Sequence, residues 1–368
     1  MTPVLGKSFS GKRVLVTGHT GFKGSWLSLW LSRLEAQVVG LSLAPATTPN
    51  NFSVSQVKNV LAGHEEGDIR DYGLVRKIID QVDPEIIFHL AAQAIVRESY
   101  LTPRETFETN AMGTTHLLEA VRQRAKPCIV VVVTSDKCYE NREQVWGYRE
   151  EDAMGGHDPY SASKGVSELI THSYRSSFFN PASVKTHGIK IASARAGNVI
   201  GGGDWAKDRI VVDAAMHLSK GEPVPVRNPQ AIRPWQHVLE PISGYLTLAA
   251  QMQASDKPHW CSGWNFGPRT GDEATVEALV TRLCQAWGDG TWQDMSDKSH
   301  PHEAGILRLS IDKATWLLGW RPTWDLQQTV ERTANWYRNY YENSEKSMHE
   351  NCIADLEAFL ASNRSLDR

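Results

Sequence analysis

Three side chains in this sequence, Tyr160, Lys164 and Ser135, can bind or transfer the proton of a hydroxyl group. Tyr160 and Lys164 are four residues apart in DPYSASK, at the start of a predicted helix, so they share one face of it. A nearby ammonium favours a phenolate, and we therefore expect Lys164 to lower the pKa of Tyr160 toward the range of a working general base. Ser135 ends an apolar run earlier in the chain and would orient a substrate oxygen with its hydroxyl. Together these residues predict acid–base chemistry at a substrate hydroxyl.

A glycine-rich turn follows the first predicted strand, Arg13–Thr17. Its spacing is GxxGxxG: Gly18 permits the tight turn, Gly21 lets a pyrophosphate approach the backbone, and Gly24 lets helix and strand pack closely. The free amides at the start of the next helix then bind the anion. The turn predicts a dinucleotide site with the contacts Gly18, Thr20, Gly21, Phe22, Lys23 and Gly24.

The rest of the cofactor site is less regular. The second predicted strand does not end in the acidic residue that binds the ribose of NAD, nor in a basic residue for the phosphate of NADP. Ser42 stands there instead. Asp68 is a candidate for the adenine amino group, although a turn or helix-cap aspartate has the same pattern. The other expected cofactor contacts are Ile69, Leu90, Ala91, Ala92, Gln93, Thr109, Tyr160 and Lys164.

Alternating strands and helices must position these residues. Cys128–Ser135 is apolar throughout, which is typical of a strand buried on both faces, and Thr106–Arg124 and Tyr160–Phe178 read as helices. The alternation predicts an α/β fold: a Rossmann-like, doubly wound parallel sheet with a smaller mixed α/β substrate-binding lobe. We expect residues 1–202 and 233–271 to form the dinucleotide-binding domain, and 203–232 and 272–368 the smaller substrate-binding lobe.

Composition narrows the class of protein. The 368 residues carry 39 basic and 42 acidic side chains, a net charge of −3, which argues against a nucleic-acid binder. Five widely spaced cysteines, with no CxxC and no zinc-like cluster, predict reduced thiols and no metal site. With no signal peptide and no apolar run long enough for a membrane helix, we expect a cytoplasmic protein. Of the 13 tryptophans, Trp26, Trp30, Trp287 and Trp336 lie on helical stripes and are expected in the core, whereas Trp205 and Trp235 lie beside ligand-loop motifs.

The sequence resembles the extended short-chain dehydrogenase/reductase family, which includes sugar-nucleotide epimerases and dehydratases. The motifs that carry the resemblance are TGHTGFKG, HLAAQ, VTSDKCY, YSASK and RAGNVIGGGDW, between about Lys12 and Trp324. Within the family, the Ser135-Asp136-Lys137 triplet, GNVIGGGDWAKDRIV and RPWQHVLEP are similar to the 4,6-dehydratases of the CDP-sugar branch. The dTDP-glucose and GDP-mannose relatives carry a glutamate where this chain has Lys137, which leaves the identity of the C5 base open.

The resemblance implies an NAD-dependent 4,6-dehydration of a CDP-hexose to a 4-keto-6-deoxy sugar nucleotide. Tyr160 would take the proton of the 4-hydroxyl as C4 is oxidised, with Lys164 and Ser135 assisting. A neutral Lys137 would remove the C5 proton, and a protonated Asp136 would protonate the departing 6-hydroxyl, with the hydride returning to C6; alternatively, Asp136 and Lys137 form an ion pair. The expected substrate contacts are Asn198, Arg209, Arg233, Trp235, His237 and His302. Relatives pair the two long helices between subunits, which implies a homodimer or homotetramer and no membrane or nucleic-acid partner.

Two other functions remain open from the residues alone. A 4-epimerase or a simple NAD(P)-dependent oxidoreductase would use Ser135, Tyr160 and Lys164 without needing Asp136 and Lys137. A dinucleotide-sensing regulator would keep the fold without catalysis, but such a protein should lack the Tyr/Lys pair that this chain retains.

Overall fold

The central sheet has seven parallel strands. The computed structural model describes residues 2–269, 271–296, 307–343 and 345–366. Within them the sheet runs in the order β11-β6-β5-β4-β1-β2-β3. The strands of the described residues are β1 (Arg13–Thr17), β2 (Gln37–Ser42), β3 (Gly63–Glu66), β4 (Ile86–His89), β5 (Cys128–Val133), β6 (Ile189–Ala196), β7 (Val199–Ile200), β8 (Val224–Val226), β9 (Ile232–Arg233), β10 (Gln236–His237), β11 (Gly263–Phe266), β12 (Ala274–Thr275) and β13 (Trp292–Asp294).

Some helices pack on this sheet, and others pack on the short strand pairs of the second half of the chain. The helices are α1 (Thr2–Phe9), α2 (Phe22–Arg33), α3 (Asn51–Val54), α4 (Tyr72–Val82), α5 (Val96–Leu101), α6 (Pro103–Phe107), α7 (Gly113–Arg124), α8 (Pro159–Ser177), α9 (Val184–His187), α10 (Ile210–Leu218), α11 (Leu239–Ala254), α12 (Val276–Trp287), α13 (Leu326–Glu342) and α14 (Met348–Leu366). Short 3-10 turns lie at Val57–Val60, Asp136–Cys138, Pro181–Ser183 and Pro258–Trp260, and π turns at Glu108–Met112 and Ala314–Leu318.

Strand β5 shows why the sheet is covered on both faces. All six of its residues are buried. Ile129, Val131 and Val133 pack into the larger hydrophobic core, whereas Val130 and Val132 pack into the core on the opposite face. Alternate side chains of a strand point to opposite faces, so a continuously apolar strand needs a core on each side. The predicted doubly wound α/β fold is confirmed.

The order of the strands places the site. The chain runs from β1 outward to β2 and β3, then returns to β4 on the other side of β1. Connections that leave neighbouring strands in opposite directions open a crevice at the carboxyl edge, where ligands of this fold class bind. The glycine turn after β1 and the Leu90–Gln93 segment after β4 both lie at that crevice.

The second half of the chain adds short strand pairs to the central sheet. Three two-stranded sheets join β10 with β7, β12 with β9, and β13 with β8. Trp26, Trp30, Trp287 and Trp336 are buried, as the helical stripes predict. In the part of the chain that the structure describes, no helix is both long enough and apolar enough to span a bilayer.

Candidate active site

The turn after β1 presses directly against the segment after β4. The N–H of Gly18 donates to the Leu41 carbonyl at 2.8 Å, and its φ angle is +77°. A Cβ atom at Gly18 would lie 2.7 Å from the backbone nitrogen of Ala91. Only glycine satisfies both the left-handed backbone and this close approach.

The same turn leads into α2 with its backbone amides open. Gly21 is the N-cap residue of α2 and makes no side-chain capping hydrogen bond. A Cβ atom at Gly24 would lie 2.1 Å from the Gly18 carbonyl oxygen, so this glycine lets helix and turn pack together. The turn therefore has the cradle that a pyrophosphate needs, with amide donors at a helix start.

Thr20 and Ser42 close one side of this cradle. Their hydroxyl oxygens are 2.7 Å apart, and the Thr20 hydroxyl also donates to the Leu43 carbonyl at 2.9 Å. Ser42 thus stands beside the glycine turn.

Asp68 is held by a neighbouring arginine. Its carboxylate accepts from the backbone N–H of Arg70 at 2.8 Å and from the guanidinium at 2.6 Å. The hydrogen bond from the Arg70 side chain holds the pKa of Asp68 below its usual value. Asp68 and Arg70 line an open cleft of about 540 Å³ with Glu108 and His116, and the buried Ile69 lies between them in sequence.

Asn110 organises the segment after β4, and sequence reasoning missed it. Its side-chain oxygen accepts from the Gln93 N–H at 2.8 Å, and its amide donates to the Gln93 carbonyl at 3.0 Å and to the Ser163 hydroxyl at 2.8 Å. Asn110 therefore ties the Leu90–Gln93 segment to α8. The signal in the sequence is a polar asparagine within the predicted helix Thr106–Arg124, on the face that the structure buries.

Thr109 lies in a π turn within a long helix. The predicted helix Thr106–Arg124 is observed as one continuous helical stretch, in which a π turn at Glu108–Met112 joins α6 to α7. Such turns insert one residue into a helix and occur often at functional sites. Here the π turn carries Asn110 and the half-buried Thr109.

The Ser135-Asp136-Lys137 triplet forms a short turn after β5. The Ser135 hydroxyl caps this 3-10 turn by accepting from the Lys137 N–H at 3.3 Å, and it donates to Asp136 Oδ1 at 2.9 Å. Oδ2 of Asp136 has no hydrogen-bond partner among the described residues, although Asp136 is only 2% exposed. Burial raises the pKa of Asp136, while nearby Lys137 opposes that shift.

Lys137 is half-buried beside this carboxyl group. Burial lowers its pKa, the charge of Asp136 opposes the shift, and the positive charges of Arg209 and Arg233 add to it. The structure thus moves both groups toward their neutral forms, a protonated acid and a neutral amine.

Tyr160 and Lys164 lie one turn apart at the start of α8 and are both buried. Asp158 caps the helix by accepting from the Ser161 N–H at 2.9 Å, and Pro159 occupies the first turn. These two residues fix where the helix begins and hence where Tyr160 stands.

The expected lowering of the pKa of Tyr160 is wrong for the chain by itself. Burial raises this pKa to about 12 and outweighs the opposing effects of Ser135 and of the charge of Arg209. Burial and the nearby charge of Lys23 lower the pKa of Lys164 to about 8. Burial also lowers the pKa of Lys23 to about 8. Desolvation penalises each charged form more than the neighbours stabilise it.

Arg209 and Arg233 come together at Lys137. Both guanidinium charges act on that lysine, and Arg209 also acts on Tyr160. Arg209 donates to the Ala94 carbonyl at 3.4 Å, while its buried Nε has no partner in the described chain. Asn198 is half-buried just after β6. Positive charge therefore collects at this site in a protein whose net charge is −3.

Two other expected substrate contacts lie in the interior. The indole of Trp235 is 5% exposed and donates to the Ala274 carbonyl at 3.1 Å. His237 is fully buried between the rings of Trp26 and Trp324, and burial lowers its pKa to about 3. The structure does not bring these side chains to the Ser135–Tyr160 group. His302 lies outside the described residues.

Trp205 also belongs to an aromatic cluster. Its ring contacts Trp336, Tyr337 and Tyr340, and its indole N–H donates to the Tyr341 hydroxyl at 3.2 Å. The cluster packs against the Gly201–Asp204 loop. Trp205 therefore supports a loop of the site with a ring that is itself buried.

A family model and two relatives that match this chain are all described as 4,6-dehydratases. A model of the GDP-mannose 4,6 dehydratase family matches residues 15–333. The chain is 51% identical to a CDP-glucose 4,6-dehydratase of Salmonella typhimurium over 336 residues, which cover 91% of this chain and 93% of that protein. It is 29% identical to a dTDP-glucose 4,6-dehydratase of Streptomyces antibioticus, over 89% and 92% of the two chains.

Solved structures share the fold. The dTDP-glucose 4,6-dehydratase of Streptomyces venezuelae, solved with NAD bound, matches with a TM-score of 0.74 and 24% identity, over 89% of this chain and 98% of that one. The dTDP-glucose 4,6-dehydratase of Bacillus anthracis, solved in complex with NAD, matches with a TM-score of 0.74 and 20% identity, over 90% and 97%.

Proposed function

This chain belongs to the GDP-mannose 4,6 dehydratase family, and from that premise we propose that it catalyses the NAD-dependent 4,6-dehydration of CDP-glucose. The product would be CDP-4-keto-6-deoxyglucose. One observation carries the proposal: a buried carboxyl group with a free oxygen, Asp136, stands with Lys137 on the turn that begins at Ser135. An alcohol oxidation alone needs only the serine, tyrosine and lysine, whereas a dehydration also needs an acid and a base.

The glycine turn would hold NAD. Gly18 and Gly24 make the tight cradle, and Gly21 offers the first amides of α2 to the pyrophosphate. Thr20, Phe22 and Lys23 would border the phosphates, Ser42 and Asp68 the adenosine, and Ile69, Leu90–Gln93 and Thr109 the rest of the cofactor. When bound, NAD supplies the oxidant for C4 and later the reductant for C6.

Tyr160 and its neighbours would act on the 4-hydroxyl. Tyr160 accepts the proton of that hydroxyl, and Ser135 hydrogen-bonds the 4-oxygen. Because burial raises the pKa of Tyr160 to about 12, the phenolate requires positive charge nearby, which Lys164 and the bound nicotinamide would provide.

Asp136 and Lys137 would carry out the loss of water. The ketone at C4 acidifies the proton on C5, and Lys137 in its neutral form removes it. Asp136 in its protonated form donates a proton to the 6-hydroxyl, which departs as water. The raised pKa of Asp136 and the lowered pKa of Lys137 support these forms.

The second lobe, residues 203–232 and 272–368, would bind the nucleotide. Arg209 of this lobe, with Arg233 and Asn198 from the adjoining edge of the NAD-binding domain, would hold the diphosphate, since a guanidinium matches two phosphate oxygens. Their positive charge near Lys137 supports this placement.

Two further proposals concern the oligomeric state of the enzyme and its location in the cell. Exposed apolar side chains on α8 and the preceding helices, among them Leu169 and Met112, support pairing of two subunits along these helices. The five free cysteines support a cytoplasmic location, where thiols stay reduced.

A panel of CDP-, dTDP-, GDP- and UDP-glucose tests the function, with product mass and cofactor redox state measured for each. We expect loss of one water from CDP-glucose and no net change in NAD. Preference for dTDP-glucose would overturn the substrate, and a product of unchanged mass would identify an epimerase.

A further inference from the structure

A buried ion pair joins the helix of Tyr160 and Lys164 to the sheet. Glu168 lies one turn beyond Lys164 on α8, and Arg195 lies near the end of β6; the side chain of each is 5% exposed. Arg195 donates two parallel hydrogen bonds of 2.9 Å to the two carboxylate oxygens of Glu168. Burial alone would raise the pKa of Glu168, but the charge and hydrogen bonds of Arg195 hold it below its usual value. The pair is therefore ionised and geometrically fixed.

The same carboxylate also binds two strand ends. The Thr134 hydroxyl at the end of β5 donates to Glu168 at 2.5 Å, and the Ser193 hydroxyl on β6 donates at 2.6 Å. With these contacts, Glu168 fastens α8 to both β5 and β6.

Arg195 reaches the other end of the Ser135–Lys137 turn. Its Nη1 donates to the Tyr139 hydroxyl at 2.6 Å, and that hydroxyl donates to the side-chain oxygen of Asn265 at 2.7 Å. The guanidinium also lies over the Tyr139 ring, 5.1 Å from its centre. A Cβ atom at position 263 would lie 2.4 Å from Nη2 of Arg195, so Gly263 makes room for this arginine.

These contacts lie on both sides of the Ser135–Lys137 turn in the sequence. Thr134 immediately precedes Ser135, and Tyr139 follows Lys137 by two residues, so the Ser135–Lys137 turn is fastened at both of its ends. Glu168, which pairs with Arg195, lies on α8, the helix that carries Tyr160 and Lys164. We propose that the buried network of Thr134, Tyr139, Glu168, Ser193 and Arg195 sets the position of the Ser135–Lys137 turn relative to Tyr160 and Lys164.

These five are positioning residues, which act through others. The inference rests on the proposed function only for the catalytic roles of the Ser135–Lys137 turn, Tyr160 and Lys164. A buried ion pair is a weak source of stability, because desolvation of both charges offsets their attraction. Its distinct effect is to fix geometry, and a misplacement of about 1 Å costs a reaction about 100-fold.

Two conservative variants probe the network without leaving a charge unpaired. Thr134→Val removes the hydroxyl that binds Glu168 and keeps the shape of the side chain. Tyr139→Phe removes the hydroxyl between Arg195 and Asn265 and keeps the ring. Thr171→Val is the matched control for the first, since its buried hydroxyl bonds only within α8, to the Ser167 carbonyl. Tyr148→Phe is the control for the second, since its ring stacks on Tyr139 but its hydroxyl donates to Asn141 and accepts from the Arg142 N–H, outside the network.

Full-length variants are compared with the wild type by kcat, by KM for CDP-glucose and NAD, and by the kinetic effect of deuterium at C4, with the folded fraction measured by circular dichroism. We expect Thr134→Val and Tyr139→Phe to lower kcat per folded molecule by ~10- to 100-fold, with KM unchanged and a larger isotope effect. Thr134→Ser keeps the hydroxyl and should restore kcat, and both controls should match the wild type.

A purely structural role predicts less folded enzyme with unchanged kcat and isotope effect, and that result would overturn the proposal. An equal loss of kcat in the Thr171→Val control would also overturn it. Turnover of CDP-glucose by the wild type is measured first. If the wild type dehydrates another nucleotide hexose instead, the proposed substrate fails, and the variants are compared on the hexose that it accepts.

Discussion

Asp136 accepts a 2.9 Å hydrogen bond from the Ser135 hydroxyl through Oδ1, while its Oδ2 has no partner among the described residues. The free oxygen faces Gly197, where a Cβ atom would lie 3.1 Å away. Burial raises the pKa of this carboxyl group. One oxygen is thus oriented by the residue proposed to bind the substrate oxygen, and the other is open to donate a proton.

Replacing Asp136 by Asn separates oxidation from dehydration. An amide keeps the hydrogen bond from Ser135 but cannot serve as a general acid, so we expect elimination to slow by about 10²- to 10⁴-fold. Oxidation at C4 should persist, and reduced nicotinamide should accumulate. Its absorbance and the product mass are measured together. Asp152→Asn, in the loop before α8, is the control, and unchanged water loss in Asp136→Asn would contradict the role.

Lys137→Ala tests the base at C5. Without the amine, we expect exchange of the C5 proton with deuterated solvent to stop while oxidation at C4 continues. Proton exchange is followed by NMR during turnover. Lys126→Ala serves as the control, since this lysine pairs with Asp83 away from the site. Exchange and turnover at the wild-type rate in Lys137→Ala would remove this lysine from the mechanism.

The charge of Lys23 contributes to the lowered pKa of Lys164. The pKa of Lys164 is lowered to about 8, first by burial and then by the charge of Lys23. Lys164 supports Tyr160 only in its charged form, which is lost as the pH rises through that value. Removing the second charge in Lys23→Met should therefore raise the pKa of Lys164 and move the alkaline limb of kcat to higher pH.

The pH profile of kcat is measured at saturating NAD, because Lys23 also borders the proposed phosphate site. The exposed Lys220→Met provides the comparison for a general loss of positive charge. An alkaline limb that moves equally in both variants, or in neither, would count against coupling between Lys23 and Lys164.

The exposed face of α8 predicts the subunit contact. Leu169 is 58% exposed on this helix, opposite the buried side that carries Lys164 and Glu168. A charge at this position would disfavour burial in a helix–helix interface, so Leu169→Glu should shift the protein toward monomer in sedimentation velocity. Leu317→Glu, at a leucine with 53% exposure on another element, should leave the oligomeric state unchanged. A wild type that is monomeric would itself refute the proposed dimer.

The sequence predicted the fold because its signals are local. Strand Arg13–Thr17 is observed at its predicted bounds, and the apolar run at β5 indicated a strand with a core on each face. The glycines of the turn after β1 and the Tyr160/Lys164 spacing each lie within one element or one connection. Such patterns depend on the periodicity of helix and strand and need no knowledge of distant contacts.

The rest depended on contacts between distant parts of the chain. Glu168 and Arg195 look like ordinary surface charges in the sequence, and only the packing of α8 on the sheet buries them as a pair. His237 was expected at the substrate because of its motif, but it packs between tryptophans from α2 and from the segment before α13. The predicted direction of the pKa shift of Tyr160 was wrong because the spacing of Tyr160 and Lys164 does not reveal burial. Burial disfavours the phenolate and raises the pKa.

Glu240 predicts how stability depends on pH. This carboxylate is 1% exposed and accepts from the backbone N–H groups of Thr323, at 3.0 Å, and Trp324, at 2.7 Å. Burial raises its pKa from 4.5 to about 8 despite these hydrogen bonds. Between those values the folded protein keeps a proton that the unfolded chain releases. The contribution of Glu240 to the free energy of unfolding should therefore fall as the pH rises from 4.5 to 8, by at most about 1.4 kcal/mol per pH unit.

Urea unfolding of the wild type and of Glu240→Gln across this range measures that contribution as a difference, so that other titrating groups cancel. Glutamine keeps a neutral acceptor for the two N–H groups but cannot ionise. The variant should therefore gain stability relative to the wild type as the pH rises. Glu331→Gln, on the exposed side of α13, should show a constant difference from the wild type. A constant difference for Glu240→Gln as well would mean that Glu240 ionises at the same pH in the folded and unfolded chains, so that its hydrogen bonds to Thr323 and Trp324 fully offset the cost of burial.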